Sequence, residues 1–154
     1  MKEVLILGAG KSSQHIIQYL AHHSSQLKIH FTIADIDTTK IEQKYNSYPN
    51  VSFSTIKAND FNTVELQIKG KNIVISMLPA SMHVEVAKRC LLYKTHLLTP
   101  SYVSDEMKAL DADAKKLGLL FFNELGFDPG IDHMTTMKLY HEIEAKGGTL
   151  YSYK

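Results

Sequence analysis

Two short stretches of this 154-residue sequence carry side chains at spacings suited to chemistry. One is NELGFDPGIDHM, residues 123–134, which gathers Glu124, Asp128, Asp132 and His133 around Gly126, Pro129 and Gly130. Carboxylates held on such a turn can bind an ammonium group or move a proton. The same letters also describe a plain Asp128-Pro129-Gly130 turn, with Asp132 in the first turn of a following helix. Their spacing matches no known metal-ligand set, so no metal is expected. The other stretch is LILGAGKSS, residues 5–13, which contains the ends of two different phosphate-gripping loops.

A triphosphate loop, G-x-x-x-x-G-K-[ST], ending at Gly10-Lys11-Ser12 requires a glycine where Leu5 stands. The dinucleotide loop G-x-G-x-x-G/A fits instead, with Gly8, Gly10 and, as the small third residue, Ser13. Gly8 permits the tight turn, and Gly10 lets a pyrophosphate approach the backbone at the positive end of a helix. Residues Gly8, Ala9, Gly10, Lys11, Ser12 and Ser13 are therefore the expected pyrophosphate contacts. The next hydrophobic run ends at Asp35, roughly 20 residues on, where a carboxylate accepts hydrogen bonds from adenosine ribose hydroxyls. Such a carboxylate also repels a 2′-phosphate, so NAD is expected over NADP. Asp37 competes for that role, and a helix cap is the plain alternative for either.

The elements that must hold these loops follow from periodicity. Short apolar runs at residues 3–7, 28–35, 51–55, 72–77, 95–99 and 119–123 read as buried strands, with amphipathic stretches between them. Six such strands predict an α/β fold, a doubly wound parallel sheet, and right-handed crossovers favour the strand order 3-2-1-4-5-6. In SMHVEVAKRCLLYK, residues 81–94, Val84, Ala87, Cys90 and Leu91 recur on one helical face. The stretch SDEMKALDADAKKLG, residues 104–118, reads as one helix capped by Ser104 and stopped by Gly118.

Ligands of such a sheet lie beyond the carboxyl ends of its strands. The loop after strand three offers Asn59 for an adenine edge and Asp60 as a helix cap. After strand four come Leu78 and Pro79, then His83, which reads as a cap or surface residue before a catalytic base. Beyond strand five lies TPSYVSDEM, residues 99–107. Cys90 reads as an inert core thiol and His22-His23 as a solvated helix end.

With 17 basic and 16 acidic side chains, net charge +1, and no basic stripe, a nucleic-acid partner is not indicated. No apolar run approaches the roughly 20 residues needed to span a bilayer, so no membrane partner is expected. The single cysteine rules out a disulfide framework and points to a reducing compartment, the cytoplasm.

The segments GAGKSS, SMLPASMH, THLLTPSYVSDEMKALDADAKKLGL and NELGFDPGIDHM together resemble saccharopine dehydrogenases of the glutamate-forming type, over essentially the whole chain. The resemblance implies an NAD(P)-dependent oxidoreductase of lysine metabolism that interconverts saccharopine with glutamate and aminoadipate semialdehyde. By that likeness, Gly8, Gly10, Lys11 and Ser12 match the pyrophosphate loop, Asn59 and Asp60 the adenine side, and Leu78 and Pro79 the nicotinamide-ribose side. Ser101, Tyr102, Glu124 and Asp128 match the edge that faces an amino-acid substrate, with Tyr102 and Asp128 as proton-handling candidates. Members that use NADP often carry Cys-Arg where this chain has Asp35-Ile36, which again favours NAD. Family members also continue into a substrate and dimerisation domain, and the full enzyme is expected to be a homodimer. Residues 1–146 then form the cofactor-binding domain, 147–154 begin a strand leading onward, and these residues alone are expected to turn over negligibly. Two rivals use the same loop: a carboxynorspermidine-type dehydrogenase and a stand-alone dinucleotide sensor.

Overall fold

A computed structural model describes residues 1–57 and 60–153. Strand β1 (Lys2–Leu7) runs into a 3-10 turn (Lys11–Ser13) and helix α1 (Gln14–Leu27), followed by β2 (Ile29–Asp35), α2 (Thr39–Tyr45) and β3 (Val51–Thr55). The second half contains α3 (Phe61–Ile68), β4 (Ile73–Ser76), α4 (His83–Leu92), β5 (His96–Leu98), α5 (Asp105–Ala109), α6 (Asp111–Lys116), β6 (Phe121–Phe122) and α7 (Ile131–Ala145). All six strands pair in parallel in the order β3-β2-β1-β4-β5-β6, as the alternation of apolar runs and helices predicts.

Strand β1 lies at the centre and is apolar on both faces because both are covered. Val4 and Ile6 join Ile17, Leu20 and Ala21 of α1 and Ile41 and Tyr45 of α2 in one core layer. Leu5 and Leu7 point the other way, into a layer with Val64 and Ile68 of α3 and Val86, Ala87 and Cys90 of α4. Right-handed crossovers explain the split: the chain steps one way from β1 to β3 and the other way from β4 to β6. The two halves therefore diverge between β1 and β4, and the loops after these strands face each other at the sheet's carboxyl edge. Leu5 is fully buried in mid-strand, which excludes the triphosphate-loop reading.

Some boundaries differ from the sequence expectation. The stretch 104–118 is two helices that break at Leu110, whose N–H bonds the Met107 carbonyl three residues back, although Ser104 does cap the first by accepting the Met107 N–H. On α4 the buried face is His83, Val86, Ala87 and Cys90, one step round from the expected stripe, and Val84 and Leu91 are only half-buried. His22 and His23 lie within α1 and not at its end. Beyond α7, the described residues 148–153 form no strand, and the Tyr153 hydroxyl lies 2.9 Å from that of Thr136.

Candidate functional site

The glycine turn is built by backbone geometry. Gly8 has φ +99°, and a β-carbon there would lie 3.0 Å from the Met77 carbonyl oxygen, so a side chain fits neither the torsion nor the space. Its N–H donates to the Ala34 carbonyl at 2.8 Å, which ties the turn to β2. Gly10 precedes the 3-10 turn, and nothing lies within 4 Å of where its β-carbon would be. That open space before the first turn of α1 is what a phosphate group needs to reach the backbone N–H groups. Ser13 is fully buried, and its hydroxyl donates to the Gly10 carbonyl at 2.8 Å, while Lys11 and Ser12 stay exposed.

Asp35 sits half-buried at the end of β2. Its carboxylate accepts the Ala9 N–H at 2.5 Å and the Asp37 N–H at 3.3 Å, so it braces the glycine turn. Ile36 is exposed, and Asp37 accepts the Thr39 N–H at 2.9 Å, closing the start of α2. Hydrogen bonds from Thr39 hold the Asp37 carboxyl below the usual carboxylate range. Asp60 caps α3 by accepting the Asn62 N–H at 3.0 Å, and Asn59 lies outside the described residues.

Leu78 is half-buried, Pro79 is exposed, and Pro79 leads into a 3-10 turn (Ala80–Met82) that delivers His83. His83 is not a surface residue. It is 3% exposed, with Nδ1 3.0 Å from the Ser76 hydroxyl and Nε2 2.9 Å from the Ser101 hydroxyl. Burial pushes its pKa down, so the ring is neutral and joins the end of β4 to the loop after β5. Sequence reasoning missed this bridge, although the spacing of His83 from Val86, Ala87 and Cys90 (i, i+3, i+4, i+7) places it on the buried stripe.

At the far end of the same edge, the Tyr102 hydroxyl donates to the Asp128 carboxylate. The accepting carboxylate pushes the Tyr102 phenol above its ordinary range, so Tyr102 remains a hydrogen-bond donor. Glu124, held at φ +64°, accepts the Val103 N–H at 3.2 Å and donates its own N–H to the Ser101 carbonyl. Asp132 accepts the Gly130 N–H and binds His133 at 2.8 Å. Gly130 is obligatory, because a β-carbon there would overlap the Gly126 carbonyl oxygen. The loops thus bring Ser101, Tyr102 and Asp128 together around a cleft of about 460 Å³, and Glu124 borders a neighbouring one of about 250 Å³. An apolar groove of about 650 Å³ runs from Ser12 and His15 across Met77 to Thr99, Pro100 and Gly126, connecting the glycine turn to this edge. Among the described residues there is no cluster of three or more His, Cys, Asp or Glu suited to a metal ion.

A parallel sheet in this order, with a glycine turn at the switch point and a carboxylate closing β2, defines a Rossmann-type dinucleotide-binding domain. Residues 4–121 match the family described as Saccharopine dehydrogenase NADP binding domain, and the chain belongs to that family. It is 31% identical over 153 residues to the saccharopine dehydrogenase [NADP(+), L-glutamate-forming] of Schizosaccharomyces pombe, covering 99% of this chain and 33% of that protein. It is 34% identical over 155 residues to the mitochondrial alpha-aminoadipic semialdehyde synthase of Bos taurus, covering 99% of this chain and 16% of that protein. The apo saccharopine dehydrogenase (L-Glu forming) of Saccharomyces cerevisiae superposes with TM-score 0.83 at 30% identity, over 99% of this chain and 33% of that one. The chain spans about a third of the dehydrogenases and a sixth of the synthases it matches.

These matches overturn the expected preference for NAD: the family is an NADP-binding one, and the dehydrogenases it resembles carry NADP(+) in their names. The physical flaw in the expectation is that it read the 2′-phosphate preference from the single Asp35 charge, which also accepts the Ala9 and Asp37 N–H groups and is one of several charged groups near the turn. No described helix is long and apolar enough to cross a membrane, and the relatives include a mitochondrial protein.

Proposed function

We propose that this chain is the dinucleotide-binding part of an NADP-linked saccharopine dehydrogenase, and that its Tyr102–Asp128 edge forms part of the amino-acid substrate site. The observation that carries this is the placement of the Gly8–Ser13 turn and the Tyr102–Asp128 pair on one carboxyl edge, joined by the apolar groove. Gly8, Ala9, Gly10, Lys11, Ser12 and Ser13 would hold the pyrophosphate, the Asp35–Asp37 segment the adenosine ribose, and Leu78 and Pro79 the second ribose. The open space at Gly10 fits that assignment. When bound, NADP+ supplies a hydride acceptor.

The chain's own residues handle charge and protons. Oxidising a secondary amine to an imine removes a hydride from carbon and a proton from nitrogen. Asp128 is the base available for that proton, and Tyr102, kept protonated by Asp128, orients its carboxylate. Ser101, anchored by His83, and Glu124 border the same edge and suit the carboxylate and ammonium groups of an amino acid. In the whole enzyme a homodimer acting in lysine metabolism follows from the same reading, in the cytoplasm for this chain. The test is a calorimetric titration of this chain with NADPH, with ATP plus magnesium as control. The expected result is saturable NADPH binding without ATP binding; binding of ATP–magnesium alone, or of neither, overturns the proposal.

A further inference from the structure

We infer that Lys40 and Lys44 of α2 bind the adenosine 2′-phosphate that distinguishes NADPH from NADH. The inference rests on the dinucleotide reading above and answers a conflict within it. The family is described as NADP-binding, yet where β2 ends this chain offers Asp35 and an exposed Ile36. An arginine near that position is what accommodates a 2′-phosphate in other sheets of this type, and none is present here.

The missing positive charge comes from the next helix. Beside the glycine turn lies a cleft of about 390 Å³ lined by Ala9, Gln14, Asp37, Lys40, Ile41 and Lys44. It combines the middle of the glycine turn with the segment after β2, where the adenosine ribose of a bound dinucleotide lies. Lys40 and Lys44 are four residues apart on α2 and so share one helix face, and both reach the cleft wall. Among the described residues no carboxylate lies within 4.0 Å of either ammonium group, in contrast to Lys71, Lys88, Lys108 and Lys115. Lys44 lies over the Tyr45 ring, 5.1 Å from its centroid, a contact a phosphate oxygen can replace.

The acids nearby already accept hydrogen bonds within the protein. Asp35 accepts from Ala9 and Asp37, and Asp37 accepts from Thr39. Glu42, on the same helix, accepts the Thr38 hydroxyl at 2.5 Å. Without the two lysines this end of the cleft carries only negative charge and repels a phosphate. With them, the Asp35 and Asp37 charges are balanced, and the ammonium groups of two exposed side chains are available for charge-assisted hydrogen bonds. Lysine suits this role as a point charge on a flexible stem.

The test is calorimetric titration of the 154-residue chain with NADPH and NADH, for the wild type and for Lys40→Gln, Lys44→Gln, the double variant and Lys116→Gln on α6 as control. Unfolding temperatures establish that each variant is folded. One charge-assisted hydrogen bond corresponds to roughly tenfold in affinity. NADPH affinity is expected to fall about tenfold in each single variant and on the order of a hundredfold in the double. NADH affinity should stay within about twofold, a change too small to correspond to a lost hydrogen bond. A wild type that prefers NADPH while Lys40→Gln and Lys44→Gln behave like Lys116→Gln overturns the inference and leaves the proposed function standing. A wild type that binds NADH at least as tightly overturns the NADP assignment and the inference together, and failure to bind either dinucleotide overturns the dinucleotide reading itself.

Discussion

The two glycines of the turn after β1 are expected to fail in different ways when a methyl group is added. Gly8 has φ +99°, a region an alanine enters at a cost of about 1–3 kcal/mol. Its new β-carbon would also sit 3.0 and 3.1 Å from the Met77 carbonyl oxygen and carbon, backbone atoms that move only if β4 moves. Gly8→Ala should therefore destabilise the domain by about 2–4 kcal/mol in total. For a chain of this length that lowers the unfolding temperature by on the order of 10 °C. Gly10 has φ −68° and open space at its β-carbon, so Gly10→Ala should leave stability within about 1 kcal/mol of wild type. On the proposed dinucleotide reading the same β-carbon would occupy the approach of the pyrophosphate to the backbone, and NADPH binding should be lost. Thermal unfolding followed by circular dichroism, with NADPH titrations on both variants, separates the effects. Gly8→Ala unfolding at the wild-type temperature, or Gly10→Ala binding NADPH as the wild type does, would refute the reasoning.

Two further outcomes follow from buried titratable groups. His83 is neutral between Ser76 and Ser101, and its folded pKa is pushed below the ordinary 6.5 by burial. The unfolded chain then takes up the proton first, so this contribution is fully present above pH 6.5 and is lost as pH falls toward the lowered folded value. Urea unfolding across that window should show a flatter acid-side decline in His83→Gln than in wild type, and equal slopes would contradict it. Burial also pushes the Cys90 thiol up to about 12. It should resist a thiol reagent in the native protein and react on unfolding, and rapid native-state labelling would show that the α4 face is not packed as described.

Much of the architecture was legible because it depends on local pattern. β1 reads as a buried central strand since every residue from Val4 to Leu7 is apolar, and the glycine turn reads as a dinucleotide loop since Leu5 denies the alternative. Strand order followed from alternation plus the handedness of crossovers. The break at Leu110 was not legible, because no glycine or proline lies between Ser104 and Gly118 to mark it. At the site, Ser101, Tyr102 and Asp128 were found as letters, but the hydroxyl–carboxylate bond joins residues 26 apart, and no spacing rule connects them.

The sequence by itself determined what depends on neighbours along the chain: strands, most helices, the glycine turn, and the loops that hold the polar groups. Tertiary structure alone decided which way polar side chains turn. It aimed the Asp35 carboxylate at Ala9, buried His83 between two serines 7 and 18 residues away, and set Lys40 and Lys44 beside the glycine turn. The physical reason is that ligand charge is read by the summed field of every group packed around it, and packing brings together groups far apart in sequence. One acidic letter at the end of β2 was therefore a poor guide to the cofactor preference.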